Sequence, residues 1–156
     1  GRTPGLRCLN EGQKVSDIRY FTIENATRAL AYLRPILLEI QIAYKTFLEL
    51  ETNVREREVM SEEQREDLVG KLNTIREQVD GLLDEVSATG AEVKDLGDGI
   101  CDFFYRCHDG EVVLLCYRLG DERIEYWYSV DEDYEKRRPI GELVELERAA
   151  LAGGHE

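Results

Sequence analysis

The chain has 156 residues, 33 of them acidic against 20 basic, for a formal net charge of −13. That length fits one domain able to bury roughly two-thirds of its unfolded surface. The charge argues against nucleic acid or an anionic membrane as a partner, because neutralising phosphates takes a basic surface. No apolar run approaches the roughly 18 residues that a membrane helix needs, and no signal-peptide pattern opens the chain, which starts at Gly1 as a processed or trimmed chain does.

Residues 1–16 mix Gly, Pro, Arg, Asn and Lys without a period and read as a flexible lead-in. Residues 17–151 are expected to form a single α+β domain: a helical hairpin over 17–89, an antiparallel sheet over 90–130, and a loop and C-terminal helix over 131–151, with 152–156 a frayed tail. Thr22 is placed to cap the first helix, with Phe21 and Ala26 at the hydrophobic-staple positions. Pro35 follows after about three turns and predicts a kink near Tyr32 to Pro35, since proline lacks the N–H and its ring clashes with the preceding turn. Ile36, Ile40, Ala43, Phe47, Leu50 and Val54 then recur at alternating four- and three-residue steps, a coiled-coil seam. Leu33, Leu37, Tyr44 and Leu48 widen that seam into a broader stripe.

After a short connection, Ser61-Glu62-Glu63-Gln64 makes a capping box. Leu68, Leu72, Ile75, Val79, Leu82 and Val86 repeat the same steps. Two matched seams joined by so few residues predict a long antiparallel hairpin with arms close to 40 Å. Apolar surface left on its outer side predicts a homodimer through the helices.

Beyond Gly90 the period falls to two. Strands are expected near Ala91–Leu96, over Ile100–Arg106, Val112–Leu119 and Arg123–Val130, a three- to four-stranded antiparallel meander. Taking Asp109-Gly110 and Gly120-Asp121 as two-residue turns sets Phe103 opposite Cys116, Cys101 opposite Arg118, Tyr117 opposite Ile124 and Leu115 opposite Tyr126. One face then gathers a core from Ile100, Phe104, Val113, Leu115, Tyr117, Tyr126 and Tyr128. The other mixes Cys101, Phe103, Cys116, Arg118 and Trp127, with thiols, charges and aromatics together. Leu143, Leu146, Glu147, Ala150 and Leu151 predict the short final helix.

Tyr20-Phe21-Thr22, the Pro-interrupted helical pair, Thr89 to Leu96, Gly99 to Phe103, Leu115 to Gly120, Ile124 to Trp127 and Arg137-Arg138-Pro139-Ile140 occur in this order. The string resembles a prokaryotic domain of unknown function, family 2203, over about Tyr20 to Ile140. The resemblance implies no activity, substrate or cofactor. The chain departs from the family pattern at Tyr117, where Trp is usual, and at Tyr128, where a His follows the Trp, so any role of that His does not carry over.

Four cysteines (Cys8, Cys101, Cys107 and Cys116) are too few and too irregular for a disulfide scaffold and read as free thiols in a reducing cytosol. Cys101, Cys107, His108 and Cys116 lack the knuckle spacing of zinc sites, and Cys101 and Cys116 are expected as diagonal neighbours that read as strand thiols. Asp95, Asp98 and Asp102 surround Gly97 and Gly99 as turn residues do and lack the EF-hand spacing, so no metal and no cofactor is assigned. With histidines only at His108 and His155, no Cys-His pair for catalysis is apparent. Arg137-Arg138 is the one basic spot, suited to pairing with nearby acids or to gripping an oxyanion.

The expected function is a non-catalytic cytosolic interaction or assembly module. The alternative is a small-molecule or anion-binding protein, or an enzyme, using Arg118, Trp127, Arg137 and Arg138 on the mixed sheet face.

Overall fold

The computed structural model describes residues 18–153. The expected lead-in, Cys8 and His155 fall outside them. Three helices and five strands follow in the order α1 (Ile23–Glu56), α2 (Glu62–Ala88), β1 (Glu92–Asp95), β2 (Ile100–Arg106), β3 (Val112–Arg118), β4 (Tyr126–Ser129), β5 (Arg138–Pro139) and α3 (Ile140–Gly153).

Both hairpin helices start where their caps require. The Thr22 hydroxyl accepts from the Asn25 backbone N–H at 3.0 Å. Ser61 and Gln64 close a reciprocal box, each side chain meeting the other's backbone N–H at 3.1 Å. Helix α1 runs through Pro35 as one element of 34 residues. Leu33, Ile36 and Leu37 are buried around the proline, and their packing offsets the one backbone bond it removes. The seam is buried only near the sheet: burial in α1 ends at Ala43 and in α2 begins at Val79. Farther out, Phe47, Leu50, Val54, Leu68, Leu72 and Ile75 are half-buried, as two helices with no third against them must be.

The sheet is antiparallel in the simple order β1-β2-β3-β4-β5. Strand β5, with only two residues, was not expected from the sequence. The register differs from the expected one by a single residue at both hairpins. Phe103 pairs with Leu115 rather than Cys116, and Cys101 with Tyr117 rather than Arg118. Leu115 pairs with Trp127 and Cys116 with Tyr126, replacing the pairs Tyr117–Ile124 and Leu115–Tyr126.

The cause lies in the loops. Cys107 donates to the Glu111 carbonyl at 2.7 Å and Gly110 to the Cys107 carbonyl at 2.9 Å, so the β2–β3 connection holds three residues with Gly110 in the left-handed conformation. The next connection is longer, because Asp121 folds back onto the Arg118 carbonyl and β4 starts only at Tyr126.

A one-residue slip turns every side chain of a strand to the other face. Cys101, Phe103 and Trp127, expected on the mixed face, instead pack with Val113, Leu115 and Tyr117 in the main core against the helices. Ile100, Phe104, Tyr126 and Tyr128, expected in that core, turn to the outer face, where Ile100, Cys116 and Tyr128 form a second small cluster with Leu114 and Tyr134. The N-terminal approach to α1 joins the same sheet: Phe21 donates to the Phe104 carbonyl at 2.8 Å, and its ring meets Phe103 edge-on at 5.0 Å. Helix α3 buries Leu143 in the main core. Its Glu147 carboxylate accepts from the Tyr105 hydroxyl at 2.8 Å and from the His108 backbone N–H at 3.1 Å, pinning α3 to the β2–β3 turn.

Candidate functional site

The outer face of the sheet holds the chain's least ordinary side chains. Its central row is set by pairing alone: Glu92 on β1 faces Asp102 on β2, Asp102 faces Cys116 on β3, and Cys116 faces Tyr126 on β4. Asp102 is only 6% exposed. Its Oδ2 accepts a short hydrogen bond from the Tyr128 hydroxyl, which reaches across β3, while its Oδ1 is buried without a hydrogen-bond partner. The Cys116 thiol lies near enough to pull the Asp102 pKa down slightly, yet its geometry falls short of a hydrogen bond, so we regard Oδ1 as unpaired.

Burial pushes the Asp102 carboxyl up to about 6, against the smaller downward pulls of Tyr128, Lys94 and Cys116. Burial and then the Asp102 charge push Glu92 up to about 7. Cys116 is driven far above the usual thiol range by burial first and by Asp102 second. A nucleophilic cysteine needs the reverse, a thiolate favoured by its surroundings. Cys101 is raised in the same direction by burial, and Cys107 is pushed up to about 11. All three described thiols are free, and their surroundings favour the thiol over the thiolate.

The four residues expected to converge are divided by the sheet. Arg118 and Arg137 lie on the outer face. Arg118 pairs with Asp98 at 3.3 Å. Arg137 is held between two rings, 4.2 Å from the centroid of Tyr134 and 4.9 Å from that of Tyr126. Its Nε is buried and unpartnered, and it makes no ion pair among the described residues. Trp127 and Arg138 belong to the helix side, where the Arg138 guanidinium stacks on the indole at 4.9 Å and pairs with Glu132 at 3.2 Å.

Among the described residues no three His, Cys, Asp or Glu side chains are placed to hold a metal ion. Cys101 and Cys116 stand on opposite faces, not diagonal on one as expected. Asp95 accepts from the Asp98 backbone N–H at 2.8 Å, which is turn chemistry. A cleft of about 440 Å³ beside Arg34 has its guanidinium already engaged by the Tyr117 hydroxyl and the Glu122 carbonyl.

Glu92, Tyr128 and Glu147 were missed as partners. Asp102 carried a signal, a lone carboxylate in the apolar run Ile100–Phe104, but its partner Glu92 follows only from the register.

A family model described as an uncharacterized conserved protein (DUF2203) matches residues 19–140, well over half of the chain, and the chain belongs to that family. No curated protein and no solved structure matches it.

Proposed function

From membership of a family that brings no activity with it, and from the geometry above, we propose that this protein is a non-catalytic cytosolic assembly module whose helical hairpin docks a second copy of the chain. One observation carries the reading. On α1, Tyr32, Leu38 and Ile42 are 57%, 47% and 57% exposed, and Pro35 lies between them at helical spacing. A helix of a monomeric domain turns such a stripe inward, because burying a Leu or Ile side chain stabilises by about 1.5–3 kcal/mol. Leu48 and Val69, at 41% and 45%, are further exposed apolar side chains of the hairpin. Two hairpins laid together on the stripe of Tyr32, Leu38 and Ile42 would bury it in a four-helix arrangement.

Light scattering of wild type and of Leu38→Asp/Ile42→Asp tests this. Both sites are exposed, so the variant should fold with unchanged helicity and run as a monomer, while wild type runs as a dimer. Equal masses for the two proteins sink the reading.

A second reading rests on Arg137, a half-buried guanidinium without a carboxylate in an acidic chain. A charge left partly desolvated is costly unless something compensates it, and an oxyanion on the exposed side of Arg137, with Arg118 nearby, would do so. Thermal melting with inorganic phosphate or acetate, in wild type and Arg137→Gln, decides it: stabilisation absent from wild type, or equal in both, removes this reading.

A further inference from the structure

Glu92 and Asp102 are directly opposed carboxyls on adjacent antiparallel strands, where Cβ atoms stand about 5 Å apart. Asp102 is buried with Oδ1 unpaired, and β1 is the edge of the sheet, bonded in the strand ladder to β2 alone. That edge strand is also the junction between hairpin and sheet: α2 ends at Ala88, β1 begins at Glu92, and Val93 and Leu96 are buried in the main core. We infer that Glu92 and Asp102 form a proton-operated latch, which zips β1 onto β2 while a proton is held between them and lets the edge strand open when both ionise.

The groups facing Asp102 are Glu92 and Lys94 from β1, Cys116 from β3 and Tyr128 from β4, with Cys101 adjacent on the opposite face. Lys94 is the one cation among them, and it stands exposed at the edge. Tyr128 can serve only one carboxylate oxygen, and that oxygen is Oδ2. Lys94 and Tyr128 favour one negative charge, and the proton held by the pair spares the closed strand a second. Burial accordingly raises both groups, Glu92 from 4.5 to about 7 and Asp102 from 3.8 to about 6. The sign follows. An acid whose pKa is higher closed than open binds its proton more tightly when closed, so the closed strand weakens as pH rises through the closed-state values. Between about pH 6 and about pH 8.5 these shifts raise the opening equilibrium of β1 roughly twentyfold, about tenfold of it from Glu92 and about twofold from Asp102.

Hydrogen exchange on the full chain at those two pH values, corrected for base-catalysed intrinsic exchange, tests the latch. The β1 amides should lose roughly twentyfold in protection at the higher pH, while the amides joining β3 and β4 lose far less. In Glu92→Gln the β1 change should shrink to roughly twofold, and in Asp102→Asn to roughly tenfold or less, because Glu92 keeps the larger, burial part of its shift. If Asp102→Asn does not fold, Glu92→Gln alone decides. Protection of β1 that ignores pH in wild type, a dependence undiminished by either substitution, or a loss shared equally by every strand each overturns the latch.

Discussion

Gly99 and Gly110 both carry positive φ, +65 and +91, yet alanine at the two sites should cost very different amounts. At Gly110 a Cβ would meet nothing within 4 Å, so Gly110→Ala carries only the left-handed backbone penalty of about 1 kcal/mol. At Gly99 the same Cβ would lie 2.7 Å from the Cβ of Leu119 and 3.2 Å from its Cδ2. The Cβ of Leu119 is fixed to the backbone and cannot rotate away. The backbone there is itself tied, since Leu119 donates to the Gly99 carbonyl at 2.9 Å. Relief therefore needs β2 and β3 to part locally, an overpacking cost of about 2 kcal/mol. Gly99→Ala should destabilise by about 3 kcal/mol in all, a large share of the stability of a domain this size. Urea unfolding followed by circular dichroism measures both variants on one scale. The comparison probes the register itself. Were the hairpin centred on Asp109-Gly110, Gly99 would face Gly120, which has no side chain, and the two substitutions would cost alike. Equal costs would refute the register and with it the assignment of the two sheet faces.

Glu147→Ala should lose about 2 kcal/mol, because it strands the Tyr105 hydroxyl and the His108 backbone N–H. A double-mutant cycle with Tyr105→Phe should return about 1 kcal/mol of coupling, and a coupling of zero would dismiss the contact. Global stability should fall as pH rises from about 4 to about 6, because the folded state binds the Asp102 proton more tightly than the unfolded chain does. A shift from 3.8 to about 6 corresponds to at most about 3 kcal/mol. Urea midpoints in wild type and Asp102→Asn check it, and a slope of the same size in both would exclude Asp102 as the source. Ser61→Ala should cost about 1 kcal/mol through the lost capping box, read in the same melts.

The helices were legible in the sequence because their signals are redundant. Six seam positions in each helix, a capping box and a capping threonine all pointed the same way, and a misread residue at one end moved nothing else. The sheet offered no such redundancy. Nearly every strand position from Ile100 to Phe104 and from Val112 to Tyr117 is large or apolar, so alternation could not say which face was buried. Only loop length could, and Asp109-Gly110 looks the same whether it fills a two-residue turn or the last two places of a three-residue one. The pair of slips, one extra residue in that turn and a longer β3–β4 connection, exchanged Phe103 and Trp127 for Phe104, Tyr126 and Tyr128 between the faces. It also hid the Glu92–Asp102 pair and broke up the convergence expected of Arg118, Trp127, Arg137 and Arg138. Strand β5 escaped notice because its two residues are paired by their neighbours and not by any pattern of their own. The stacking of Arg137 between Tyr126 and Tyr134 depends on the 3-10 turn at Tyr134–Lys136, which closes the acidic stretch 131–136 that reads simply as loop.

The assembly reading is tested most directly by mixing isotopically heavy and light chains at high micromolar concentration and weighing the intact species under native conditions. A homodimer of this 18.0 kDa chain predicts light, hybrid and heavy dimers in roughly 1:2:1 proportion once exchange is complete, with the hybrid lost in Leu38→Asp/Ile42→Asp. Two monomer masses and no hybrid, in wild type at that concentration, would contradict it.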